Sequence, residues 1–102
     1  MSYTVQVLSE ADAEHAATIT WFVEHVSHEH AITYATAISK ALDELEDRPF
    51  AWPAWPSRPE VRVRHLREIS YSIIYRVQDR VVTIIAFAHM HRAPGYWLGR
   101  LK

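Results

Sequence analysis

The sequence predicts an α+β fold: a first strand, then an antiparallel helical hairpin packed on a small, mainly antiparallel sheet, in the order β-α-α-β-β-β. Three observations predict it. Two apolar stripes at helical spacing run between Ala16 and Leu45 with only a short polar break. Three short runs rich in β-branched and aromatic residues follow one another closely after Val61. A stretch crowded with prolines, 48-RPFAWPAWPSRP-59, separates the two halves. At 102 residues, with 49% apolar and 23% charged residues, the chain has the composition of one globular domain spanning 1–102.

Each element has its own signal. Tyr3–Leu8 alternates, with Tyr3, Val5 and Val7 on one side, and predicts a strand. Ser9 followed by Asp12 resembles a capping box and predicts a helix start. Ala16, Ile19, Phe22, Val23 and Val26 then define the apolar face of that helix. Ser27 and the run His28-Glu29-His30 predict a turn. From Ala31 the series Tyr34, Ala35, Ile38, Ala41, Leu42 and Leu45 predicts a second helix. Pro53, Pro56 and Pro59 recur every third residue, the period of polyproline II, which predicts Trp52, Trp55 and Arg58 along one edge. VRVRHLRE, SYSIIYRV and RVVTIIAFAHM predict a meander, the last strand central because it is almost continuously apolar from Val81 to Ala88.

Several function classes are excluded or disfavoured. There is no cysteine, hence no disulfide or thiolate chemistry. Two glycines, Gly95 and Gly99, cannot build a phosphate-cradling loop. His25, His28 and His30 are close in sequence but lack a partner cluster, so they are expected to be solvated turn residues, and no metal or cofactor is expected. No apolar run is long enough to span a membrane, no signal peptide is expected, and a cytoplasmic location is the expectation. The net charge of -1 is unlike that of a protein built to grip nucleic acid, so direct sequence-specific nucleic-acid binding is not expected. The charge is sorted, however. Acids dominate up to Asp47, with Lys40 the one basic residue, and arginines dominate from Arg48 onward.

The chain closes on 89-HMHRAPGYWLGR-100, where groups able to move protons and bind anions surround a Pro-Gly turn. Two uses are open. Tyr96 and Trp97 fit a clasp folded back over the sheet, with His89 a hydrogen-bonded core histidine. Arg92 and Arg100 fit equally well as anchors in a protein interface. Trp21 lies off the apolar stripe and is expected to be exposed, an interface candidate, whereas Trp52 and Trp55 are expected to pack beneath the proline loop.

With these residues the chain resembles the RelE/ParE superfamily of toxins from type II toxin–antitoxin modules. The resemblance rests on Val7-Leu8-Ser9 leading into a helix, on Leu42, Leu45 and Pro49, on Val61-Arg62-Val63-Arg64, on Tyr71 to Tyr75-Arg76, and on the closing His89, Arg92, Pro94, Tyr96-Trp97 and Arg100. It implies a bacterial growth inhibitor, silenced by a small antitoxin whose amphipathic C-terminal segment wraps the toxin, and a role in plasmid stabilisation. Trp21, Trp52 and Trp55 are the antitoxin-binding candidates. The superfamily divides by target. A ParE-like member inhibits DNA gyrase by binding, with no enzyme activity expected; Arg92, Tyr96, Trp97 and Arg100 are then the target-binding candidates. A RelE-like member cleaves mRNA on the ribosome. In that alternative His89 or His91 would be the base, Tyr96 or the other histidine the acid, and Arg64, Arg92 or Arg100 the cation at the phosphate. The weak charge and two lysines favour the gyrase branch.

Overall fold

In the computed structural model, which describes residues 2–101, the chain forms β1 (Thr4–Val7), α1 (Ser9–His25), α2 (His28–Asp47), β2 (Ala54–Trp55), β3 (Arg58–Leu66), β4 (Tyr71–Gln78) and β5 (Val81–His89). Short 3-10 turns follow β3 at Arg67–Ile69 and close the tail at Leu98–Arg100. The five strands make one sheet in the order β1-β5-β4-β3-β2. β1 runs parallel to β5, and the other neighbours are antiparallel. The α+β class and the helical hairpin are as the sequence predicts; the short β2 is an additional strand.

The second helix follows its pattern closely. Ala31, Tyr34, Ile38, Ala41 and Leu45 are all buried. It starts earlier than the stripe suggests, because Ser27 caps it: the Ser27 hydroxyl accepts from the His30 N–H at 3.0 Å. His28 and His30 therefore belong to the first helical turn rather than to a loop. Pro49 ends the helix by denying it a further N–H donor.

The first helix departs from its pattern. Ser9 and Asp12 form no capping box; Leu8 is the cap position and no side chain caps the helix. Its inward face is Ala11, Glu14, His15, Thr18, Ile19 and Phe22, while Ala16, Val23 and Val26 are exposed. The reason is that Glu14 and His15 face the sheet with their polar atoms satisfied. The His15 Nδ1 lies 3.2 Å from the Tyr34 hydroxyl, and its ring packs on Phe87 with centroids 5.0 Å apart. An inward face containing a carboxylate and an imidazole escapes an apolar count.

The proline stretch is not a polyproline ladder. Arg62 draws the loop in, its Nη1 donating to the Trp52 carbonyl at 2.6 Å, and the Val63 N–H donates to the Pro53 carbonyl at 3.0 Å. The chain then reverses at Pro56-Ser57, which pairs Trp55 with Arg58. Trp52 and Trp55 consequently fall on opposite faces of the sheet. β4 and β5 are joined by the two-residue turn Asp79-Arg80, with φ of 52° and 63°, the mirror-image turn that suits the twist of a hairpin.

The sheet separates two apolar layers. On one face Tyr34, Ile38 and Leu45 pack against Ile73, Tyr75, Val82, Ile84 and Phe87. On the other, Val61, Val63, Ile74, Ile85, Ala86 and Ala88 are covered by Trp97 from the tail. A bulge makes this possible: Ile74 opposes Ala86 but Tyr75 opposes Ile84, so Ile85 is the extra residue in β5. Ile85 and Ala86 thus both face the tail, and every β5 residue from Val82 to Ala88 is buried.

Candidate functional site

β1 leaves the sheet after Val7, so the outer edge of β5 beyond Ile84 has no strand partner there. Glu14 and Arg100 occupy that gap. One Glu14 oxygen accepts from the Phe87 N–H at 3.2 Å, and the Arg100 Nη1 donates to the Ile85 carbonyl at 3.0 Å. The two side chains also meet in a two-pronged ion pair, at 2.7 and 3.0 Å. The Tyr96 hydroxyl donates to the second Glu14 oxygen at 2.5 Å. Side chains thus supply what a missing strand would have supplied, and they tie the tail to α1.

These contacts set the electrostatics of the tail. Burial, and then the hydrogen bond to Glu14, push the Tyr96 hydroxyl well above its ordinary pKa, so it stays protonated. The hydrogen bond to Glu14 raises the Arg100 guanidinium further. Both groups are committed to Glu14, a residue the sequence reading left unassigned. Its signal was faint: a single acid at the inward spacing of α1, with its partners 73 to 86 positions away.

Trp97 is 2% exposed and meets Trp55 edge-on at 5.1 Å, so its ring belongs to the core. Gly95 makes the preceding turn with φ of 79°, and a Cβ there would meet Leu98 at 3.0 Å. Arg92 is different. It is exposed, its guanidinium lies over the Tyr96 ring at 4.0 Å, and among the described residues it has no carboxylate partner. His89 is exposed at the strand end rather than buried in the core. Its Nδ1 accepts from the His91 N–H at 3.1 Å, and the two rings are 5.2 Å apart.

Arg64 is not brought to this cluster. It faces the helices, donating to Glu44 of α2 at 2.9 Å and lying over Trp52 at 4.6 Å. The next residue, His65, faces the tail side, where its Nδ1 is 2.6 Å from the Ser72 hydroxyl. The structure therefore groups His65, His89, His91, Arg92 and Tyr96 and leaves Arg64 across the sheet. Trp21 is 53% exposed and stacks on His25 at 4.8 Å, on the rim of a groove with His30, Tyr71 and His89. Val26 and Ile32 add to the exposed apolar surface near the hairpin tip. Trp52 and Trp55 are half-buried. Among the described residues no group of His, Asp and Glu is placed to hold a metal ion, and no helix is long and apolar enough to cross a membrane.

A family model described as ParE toxin of type II toxin-antitoxin system, parDE, matches residues 5–94, from β1 to the tail turn. The chain belongs to the ParE toxin family. Among solved structures, a chain of the chromosomal ParDE toxin–antitoxin system from P. aeruginosa superposes with a TM-score of 0.75 at 19% identity, covering 87% of this chain and 97% of that one. A double arginine-to-alanine variant of E. coli toxin RelE in the free state gives a TM-score of 0.71 at 19% identity, covering 100% of each chain. The isolated E. coli RelE toxin gives 0.66 at 20% identity, covering 96% of this chain and 95% of that one. Comparison with curated proteins finds no match. At these identities the structural likeness speaks for the fold, which is that of RelE/ParE toxins. As a ParE-family toxin of a type II module, the protein has a cognate antitoxin as its partner. The edge contacts made by Glu14 are thus part of how this ParE-family chain holds its own tail.

Proposed function

We propose that this toxin inhibits DNA gyrase by binding, without catalysis of its own, and that a ParD-like antitoxin neutralises it in the cytoplasm by laying an amphipathic segment over the exposed apolar surface around Trp21. The family match favours the ParE branch. The observation that carries the reading is the state of the tail: Tyr96 and Arg100, one candidate acid and one candidate cation of the ribonuclease alternative, are both held by Glu14, and Arg64 lies on the opposite face. A net charge of -1 also suits a protein target better than a surface of ribosomal phosphates. Arg92, on an exposed turn and stacked on Tyr96, is the target-facing cation; Tyr96 supports it and Trp97 holds the turn from beneath.

The test is expression in cells without antitoxin, with DNA-damage signalling and protein synthesis followed together. Gyrase-dependent double-strand breaks should come first and translation should fall later. Immediate mRNA cleavage with intact DNA would overturn the proposal in favour of the nuclease.

A further inference from the structure

On the tail side of the sheet, a hollow of about 150 Å³ opens between β3, the end of β5 and the tail. Its walls are Trp55, Val63, Pro94 and Trp97, and its polar groups are His65, Ser72, His89 and Arg92; no carboxylate lines it. Both imidazoles are oriented by their Nδ1 atoms. His65 meets the Ser72 hydroxyl there, and His89 accepts the His91 N–H. His65 and Ser72 share one hydrogen bond whose direction follows the tautomer, and the Arg92 guanidinium stands with them at the hollow; the His89 ring sits at its rim, edge-on to Tyr71 at 5.1 Å. Partial burial, and then the nearby Arg67, hold the His65 pKa below its ordinary value, and Arg92 has no carboxylate partner among the described residues.

We infer that this hollow is a receptor for a single carboxylate side chain, an aspartate or glutamate presented by an acidic segment of the toxin's protein target. The inference rests on the reading that the tail face meets such a target. Charge and size both favour a carboxylate over a nucleic acid. A strand of nucleic acid brings a row of phosphates and needs cations along its length. Here the cationic arc is short, and Glu10 and Glu14 of α1 stand towards the Arg100 side, where a polyanion would be repelled. The hollow is also apolar on its flanks, so one carboxylate entering it would lose water and gain charge-assisted hydrogen bonds to Arg92 and to the His65–Ser72 pair.

The experiment is an NMR titration of the whole toxin, following the His65, His89 and Trp55 side-chain signals. The probes are an acetylated Gly-Glu-Gly peptide amide, its Gly-Gln-Gly counterpart, and a short uridine-rich RNA. Probe concentrations reaching tens of millimolar cover the affinity of a single contact. The Glu peptide should give saturable shifts at all three residues, the Gln peptide at least tenfold weaker ones, and the RNA no stronger binding than the Glu peptide. Arg92→Gln, which should retain the folded spectrum, should abolish the Glu response, and Arg92→Lys should restore part of it. Equal responses to Glu and Gln, no saturable response, or preferential binding of RNA would each overturn the inference. A parallel gyrase assay separates the two readings. Glu-specific binding without gyrase inhibition leaves the receptor standing and removes gyrase as its target. Gyrase inhibition that is unchanged in Arg92→Gln, together with no Glu response, removes the receptor alone.

Discussion

Glu14 and Arg100, 86 positions apart, close the open edge of β5 between them, one on the Phe87 N–H and the other on the Ile85 carbonyl. Their side chains are 17% and 18% exposed, so each charge depends on the other for much of its solvation. Glu14→Gln should therefore cost roughly 2–4 kcal/mol, through a broken, largely desolvated pair and a weakened edge. Arg100→Ala should cost a similar amount. The double variant should lose less than the sum of the two, because one interaction is being removed twice. Chemical denaturation of the three variants measures this, and strictly additive losses would show that the pair is not coupled.

Arg92 should behave in the opposite way. It is exposed and stacks on the face of Tyr96 with no carboxylate partner among the described residues, so Arg92→Ala should change stability by less than about 0.5 kcal/mol. Growth inhibition should nevertheless fall about tenfold or more, as for an interface anchor. Removing Arg92 and Arg100 together would mix lost contact with lost folding, so the single variant is the clean test. A folded and fully toxic Arg92→Ala protein would take this residue out of target binding.

The two tryptophans Trp97 and Trp21 should separate in the same manner. Trp97→Ala empties the layer beneath the tail and should cost roughly 3–5 kcal/mol, with toxicity lost through unfolding. Trp21→Ala should leave the melting temperature nearly unchanged and weaken the antitoxin complex by more than about 1 kcal/mol. Calorimetry of the free toxin and titration with antitoxin report the two effects independently.

His15 links stability to pH. Burial against Tyr34 and Phe87 lowers its pKa from 6.5, an effect only partly opposed by Asp12. The unfolded chain therefore binds the proton more readily than the folded one. The contribution is fully present above pH 6.5 and is lost as pH falls through the lowered folded value. His65, lowered by partial burial and Arg67, acts in the same direction. Denaturant midpoints measured from pH 7.5 downward should fall, and His15→Gln should flatten that slope. An unchanged slope in the variant would assign the acid sensitivity elsewhere.

What the sequence revealed follows from which contacts are local. α2 was legible because its inward residues are all apolar and recur at helical spacing, and β5 because it is covered on both sides. α1 was misread on its inward face because Glu14 and His15 are satisfied by Phe87, Arg100, Tyr96 and Tyr34, partners distant in sequence. The proline stretch misled for a related reason: hydrogen bonds from Arg62 and Val63 override the local preference for polyproline II. The candidate tail residues were visible as residue types, but their division was not. Only the folded chain shows Tyr96 and Arg100 turned inward to Glu14 while Arg92 remains outside.

The most direct measurement of the central claim uses purified toxin with purified gyrase and, separately, with ribosomes carrying a defined mRNA. Supercoiling should be inhibited at a concentration matching toxin–gyrase binding, addition of antitoxin should reverse it, and the mRNA should stay intact. Ribosome-dependent cleavage of the mRNA, with supercoiling unaffected at the same toxin concentration, would contradict the account.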